Sequence, residues 1–249
     1  MNTTPLIDII IPNYNKAKYL KECLDSVISQ TYKNWKIYLI DDFSKDDSAQ
    51  ILKEYGNQEN IKIIYLDKNF GPHYCRNLGI KNSSSDYIAF LDSDDFWPKE
   101  KLYTQMKEMI KNNLDFTYTD ISYSKNDSKQ KKIVLPNFYD FNKFISKSTL
   151  STSSILIKRK IIDNIFFREL SHEDYLFKCE ILKKEIIAVK VKNTFTYYRM
   201  IKNNRSSNKI HNLINLWKIN KNFNKLNYFQ NIKSVLSISF NSLINYGWK

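Results

Sequence analysis

The stretch YIAFLDSDDFWP, Tyr87 to Pro98, sets three carboxylates, Asp92, Asp94 and Asp95, directly after an apolar run dense enough to be a buried strand. Charges that close repel one another, so the cluster needs a use. Mg²⁺ and Mn²⁺ prefer hard oxygen ligands and keep waters and substrate phosphates in their shell. A dication held there would neutralise a diphosphate and make it a better leaving group. Asp92 and Asp94 are the candidate metal ligands. Asp95 equally fits a helix N-cap ahead of FWPKEKL. A second acidic pair, Glu173 and Asp174, lies in LSHEDYLFKCEIL. On its own that pair reads as acidic residues at a helix N-terminus, complementing the macrodipole.

Alternating elements must position these groups. IDIIIP, WKIYLIDD, IKIIYL and YIAFLD read as buried strands. Between them come helical patterns: Leu20, Leu24, Val27 and Ile28, then Ile51, Leu52 and Tyr55 after Asp46 or Asp47 as N-cap, then a helix opened by Pro72. A further helix is expected from Lys99 to Lys111. Short connections between alternating strands and helices imply right-handed crossovers and a mainly parallel open sheet, an α/β fold with helices on both faces. Ligands in such sheets bind beyond the carboxyl ends of the strands. That places Asn13 to Asn15, Asp41 and Asp42, Asn69 to Gly71, and Asp92 to Asp95 along one edge. The second half is less regular: FTYTDISYS, SSILIKR and TFTYYR read as strands, with a polar hairpin around Asn126 to Lys132. A helix is expected from about Tyr175 to Lys184, and one or two more from Asn212 to Trp248.

At 249 residues, 42% hydrophobic with 5 prolines and 4 glycines, the chain is globular and long enough for a large core. Cys23, Cys75 and Cys179 are scattered, without zinc or disulfide spacing, which suggests a reducing compartment. No signal peptide or membrane span is legible, so a cytoplasmic protein, soluble or peripheral at the inner face of a membrane, is expected. The net charge of +13 is uneven, and no acidic residue follows Glu185. Such a surface attracts anions, whether lipid headgroups, nucleic acid or phosphorylated substrate. No helix-turn-helix, zinc-finger or RNP pattern accompanies it, so nucleic acid is not an expected partner. A nucleotidyltransferase would carry a Gly-rich loop after the first strand, but PNYNKAKYL has no glycine.

The ordered segments IIIPNYNKAKYLKECLDSVISQTYKNWKIYLIDDFSKDDS, NFGPHYCRNLGI and YIAFLDSDDFWPKEKL resemble the family 2 glycosyltransferases of GT-A fold, strongly over about residues 5 to 115 and faintly to 200. The resemblance implies an inverting transfer from a nucleoside diphosphate sugar, most simply a UDP-sugar, to a hydroxyl of a glycan or glycolipid in bacterial surface polysaccharide or lipooligosaccharide assembly, with Mn²⁺ or Mg²⁺. Pro12, Tyr14 and Asn15 match the loop around the nucleotide, with Tyr14 stacking on the base. Asp42 matches the carboxylate that meets the uracil N–H, with Asp41 structural or ribose-facing. Arg76 matches a basic residue near the diphosphate. Asp92, Ser93 and Asp94 match the D-x-D motif, Asp94 as direct metal ligand and Asp92 toward ribose or metal-bound water. Asp174 matches the general base, with Glu173 in support. His172 either completes the metal shell or lines the acceptor pocket. Arg199, and Arg205 beyond it, either clamp phosphate or lie exposed after an edge strand. The resemblance also implies a catalytic domain over 1–205, divided into a nucleotide-sugar half (1–115) and an acceptor half (116–205), and a basic helical extension over 206–249. In that extension, lysines interleaved with Trp217, Phe223, Phe229 and Trp248 suit an anionic membrane surface or packing onto the domain. The rival readings are a nucleic-acid-binding protein and a catalytically inactive nucleotide-binding protein.

Overall fold

A computed structural model describes residues 4–125, 131–200 and 209–246. The first half runs β1 (Ile7–Asn13), α1 (Ala17–Ile28), β2 (Trp35–Asp41), α2 (Ser48–Tyr55), β3 (Ile61–Tyr65), α3 (Pro72–Asn82), β4 (Tyr87–Phe90) and α4 (Lys101–Lys111). The second runs β5 (Phe116–Lys125), β6 (Lys131–Ile133), β7 (Phe138–Tyr139), α5 (Phe141–Lys147), β8 (Leu156–Lys158), α6 (Glu173–Leu182), β9 (Ala188–Met200), α7 (Lys209–Asn222) and α8 (Tyr228–Tyr246). One sheet takes the order β3-β2-β1-β4-β8-β5-β9-β7, with β6 beside β5.

The expected open sheet with helices on both faces is present, and β3-β2-β1-β4 is parallel throughout. Beyond β4 the pattern changes. β8 enters antiparallel between β4 and β5, and β7 lies antiparallel on β9, while β5 and β9 run parallel. The sheet as a whole is therefore mixed, with every antiparallel pair involving a strand of the second half.

Side-chain alternation explains the two-sided core. Ile7, Ile9 and Ile11 of β1 pack with Leu20, Leu24 and Val27 of α1 and Leu102 and Met106 of α4. Ile10 points the other way, into a cluster with Cys75 of α3, Phe144 of α5 and Leu176 of α6. α3 lies close on the strands there: a Cβ on Gly79 would stand 2.5 Å from a methyl of Ile10.

The basic tail is two helices, and their inner faces join the same body. Leu216 and Ile219 are buried. Asn220 accepts from the Tyr175 hydroxyl at 2.9 Å and donates to Ser234 at 2.9 Å. The outer face of α8 differs: Phe229, Leu236, Phe240 and Ile244 are 81%, 65%, 64% and 58% exposed. Trp248, Arg205 and most of the hairpin around 126–132 lie outside the described residues.

Candidate active site

The strand ends gather the expected residues. Asn13 at the end of β1 donates to Asp41 at 2.7 Å, and the Ser44 hydroxyl donates to the same carboxylate at 2.6 Å. Asp41 is thus a structural tie between the first two loops. Asn15, in the left-handed region at φ 52°, accepts from the Lys45 backbone N–H at 2.7 Å. This leaves Tyr14 44% exposed at the loop tip, while Pro12 stays half-buried within β1. Asp42 is 2% exposed and takes the backbone N–H groups of Phe70 at 2.7 Å and Gly71 at 2.8 Å, one on each oxygen. It therefore anchors the loop that opens α3, and a nucleotide base could reach it only through its remaining lone pairs.

The turn after β4 is held from several sides. Asp92 accepts from Arg76 at 2.7 Å, and Asp94 from the Lys16 ammonium at 2.7 Å. Ser93 between them is buried. Asp95 is fully buried and takes the Ser153 hydroxyl at 2.6 Å and the Arg199 backbone N–H at 3.1 Å. It is a brace between β4 and β9, not a cap on α4, whose N-cap position is Glu100 and whose first turn is bonded instead by Gln30, which accepts from the Leu102 N–H at 3.0 Å. Burial, with the charges of Asp94 and Asp92 added, pushes the Asp95 carboxyl well up. For Asp94, burial raises the carboxyl, Lys16 opposes and Asp92 adds, for a net rise.

Arg199 corrects the picture of an exposed residue after an edge strand. It lies within β9, 8% exposed, donates to the Asp94 carbonyl at 2.9 Å and pairs with Glu22 of α1. Its guanidinium lies 4.5 Å from the Phe96 ring centroid. TFTYYR is strand, as expected, paired along β5, and Tyr197 adds a backbone bridge to Phe96.

The second acidic pair opens α6 from the far side of the cleft. His172 precedes it in the left-handed region at φ 63°, and its buried Nε2 has no hydrogen-bond partner among the described residues. Glu173 accepts from Arg76 at 2.9 Å. Asp174 accepts from Lys178, one helical turn on, at 2.8 Å and from Thr152 at 3.3 Å. Burial raises the Asp174 carboxyl most, but Lys178, Arg76 and His172 together outweigh it and hold it well below the usual carboxylate range. Arg76 itself is 5% exposed, and although burial works against its charge, Asp92 and Glu173 hold it firmly cationic. Arg76 thus links the two acidic poles. A cavity of about 300 Å³ joins them, lined by Asp92, Arg76, Glu173, Asp174 and the segment 148–152.

The chain matches a known family. Residues 8–166 match Glycosyl transferase family 2. The chain belongs to that family. The family 2 chain is 32% identical over 215 residues to the UDP-Glc:alpha-D-GlcNAc-diphosphoundecaprenol beta-1,3-glucosyltransferase WfgD of Escherichia coli, spanning 86% of this chain and 85% of that one. Its fold is similar to that of S. aureus TarS 1-349 in complex with UDP-GlcNAc, at TM-score 0.73 and 20% identity over 96% of this chain and 72% of that one. The mannosyltransferase PcManGT of Pyrobaculum calidifontis, in complex with GDP-Man and Mn²⁺, superposes with TM-score 0.70 at 14% identity, covering 98% of this chain and 72% of that one. The protein is a glycosyltransferase of GT-A fold.

Sequence patterns left out Lys16, Ser153, Thr152 and Lys178. Lys178 was legible as the i+4 partner of Asp174. Ser153 carries no local signal, since its role exists only once β8 has been inserted beside β4.

As for a metal, Asp92 and Asp94 are a hard-oxygen pair of the kind that holds Mg²⁺ or Mn²⁺ together with substrate phosphates and water. No three of His, Cys, Asp and Glu converge as a ready cluster among the described residues. A two-carboxylate set completed by a diphosphate fits the residues present, and His172 is not needed in it.

Proposed function

We propose that this glycosyltransferase transfers a sugar, with inversion, from a UDP-sugar to a hydroxyl of a lipid-linked glycan in bacterial surface polysaccharide assembly. The observation that carries this is the single cavity shared by Asp92 and Asp174. A donor whose diphosphate sits at the β4 turn would present its anomeric carbon toward the α6 carboxylates. Residues 1–115 supply the donor side and 116–205 the acceptor side. WfgD, by its name, uses UDP-Glc and a diphosphoundecaprenol-linked acceptor, which supports both substrate classes. The UDP-GlcNAc complex of TarS supports the donor class.

Asp94, with Asp92 beside it, would hold Mn²⁺ or Mg²⁺, whose charge stabilises a departing diphosphate when bound. Tyr14 offers an exposed ring for the nucleotide base, and Asp42 and Asn15 fix the loops around it. Asp174 is the general base. Its Oδ2 is held by Lys178 and Thr152, leaving Oδ1 to take the proton as the acceptor hydroxyl attacks the anomeric carbon opposite the diphosphate. Glu173 is fixed by Arg76 and positions the first turn of α6. Catalysis rests on positioning and fixed charges, with no covalent enzyme intermediate.

The outer face of α8 and the acid-free stretch after Glu185 suit peripheral contact with an anionic bilayer, where such acceptors reside. No helix among the described residues is long and apolar enough to cross a membrane. Deletion of α8 should reduce co-sedimentation with anionic vesicles; unchanged binding removes the membrane role.

The test of the reaction is a donor panel. The protein is incubated with Mn²⁺ or Mg²⁺ and UDP-, GDP- and dTDP-sugars, with and without a diphosphopolyprenol-linked saccharide. Acceptor-dependent release of UDP is expected. Release only from a non-uridine donor, or none with any lipid-linked acceptor, overturns the proposal.

A further inference from the structure

The Lys16 ammonium pairs with Asp94, the carboxylate proposed to hold the cation. It lies 2.7 Å from Oδ2, with side-chain exposures of 25% for Lys16 and 17% for Asp94. Lys16 makes no other ion pair among the described residues, and it stands at the N-cap of α1, where its side chain caps nothing. The neighbouring cations differ. Arg76 is locked between Asp92 and Glu173 with 6% of its side chain exposed, and Arg199 between Glu22 and the Asp94 carbonyl with 8%. Of the three, only Lys16 combines one partner, partial exposure and a flexible four-carbon stem.

We propose that Lys16 competes with the divalent cation for Asp94 and makes cation binding conditional on the nucleotide, by exchanging Asp94 for the donor's diphosphate. This rests on the reading of Asp94 as the cation ligand. Without nucleotide, a dication arriving at Asp94 displaces the ammonium and then faces it across a partly buried turn, so two positive charges repel. With a diphosphate present, both gain an anionic partner: the dication keeps Asp94 and a phosphate oxygen, and the ammonium moves to the phosphates. Cation and nucleotide therefore bind with positive coupling, and each raises the other's affinity by the same factor. Lys16 is a positioning residue in this scheme. It sets the order in which the donor site is filled and keeps Asp94 paired while the site is empty.

The test is Mn²⁺ binding to the full chain, read from the signal of free Mn²⁺ by electron paramagnetic resonance, with and without UDP. In the wild-type protein UDP should raise Mn²⁺ affinity by about tenfold or more, within the usual range for coupled ligands. Lys16→Met should bind Mn²⁺ alone about tenfold more tightly than wild type and lose most of the enhancement by UDP. Lys16→Gln repeats the measurement with a polar side chain, and Lys16→Arg should restore the wild-type pattern. Unchanged or weaker nucleotide-free Mn²⁺ binding in folded Lys16→Met and Lys16→Gln overturns the proposal while leaving the cation at Asp94 intact. A wild-type protein that binds UDP calorimetrically but takes up no Mn²⁺ overturns the cation reading, and the exchange with it.

Discussion

Asp94 lies two residues from Asp92, which shares its cavity with Asp174, yet the surroundings of Asp94 and Asp174 push them in opposite directions. Asp94 is raised by burial and by Asp92, and its counter-charge comes from a different element, Lys16 at the start of α1. Asp174 is lowered by Lys178 of its own helix, a partner fixed by one turn of α-helix and itself 2% exposed. Titratable groups pushed apart in this way mark different tasks. A carboxylate with a borrowed, partly exposed partner is suited to exchange that partner for another cation. One with a built-in partner stays ionised and in place, as an acceptor of a proton from a positioned hydroxyl must.

The largest expected effect separates these tasks. Asp94→Ala and Asp174→Asn should each lower turnover by about 10³-fold. Only Asp94→Ala should also weaken Mn²⁺-dependent UDP binding in a calorimetric titration. If Asp174→Asn loses UDP affinity to the same degree, the division of labour between the two poles is wrong.

Arg76 is where the poles touch, so its removal tests whether they are mechanically joined. Arg76→Met leaves Asp92 and Glu173 without their shared partner. Breaking such a buried pair costs about 3 kcal/mol. For a chain of this size that corresponds to a fall in Tm of about 6–12 °C. Arg76→Lys keeps one charge but cannot span both carboxylates, and should fall between the two. A Tm unchanged in Arg76→Met would mean that each pole is held by its own surroundings alone.

The two poles also differ in how far the sequence betrays them. The Asp92–Asp94 pole grows from β1–α1–β2–α2–β3–α3–β4, where strand and helix periods alternate cleanly and Pro72 marks the start of α3. There the fold, the strand ends and the acidic turn all follow from local pattern. The Glu173–Asp174 pole depends on β8 slotting antiparallel between β4 and β5, and on β9 shifting register beside Thr119 and Asp120. Neither event leaves a periodic trace. Ser153 illustrates the limit: nothing in STSS announces that its hydroxyl will donate to Asp95, which lies 58 residues earlier in the chain. Arg199 illustrates another, since a strand ending in Arg looks exposed until Glu22 and Phe96 close over it. Lys16 was within reach, because a lysine directly after PNYN must lie at the mouth of the same cleft, but no spacing rule pairs it with Asp94.

The smallest effect is a shift in pH dependence, and it probes the Asp174 side alone. Three other charged or titratable groups surround that carboxylate besides Glu173: Lys178, Arg76 and His172 act on it in that order. Because its folded value lies below the ordinary carboxylate value of about 3.9, its contribution to stability is complete above that pH and is lost as pH falls below it. Lys178→Met removes the strongest of the three, and burial then drives the carboxyl upward. The acid limb of the turnover profile should move to higher pH by about one unit, and acid unfolding should lose some of its dependence on pH below 4. Methionine keeps much of the lysine stem's volume, although the Leu150 carbonyl that accepted from Lys178 at 2.7 Å loses its partner. That loss lowers stability by about 1–3 kcal/mol without moving a pH limb. A variant that is less stable but has an unshifted acid limb would therefore make Lys178 a structural residue only. A shifted limb with Mn²⁺-dependent UDP binding intact would place its effect on the base and leave the Asp94 pole untouched.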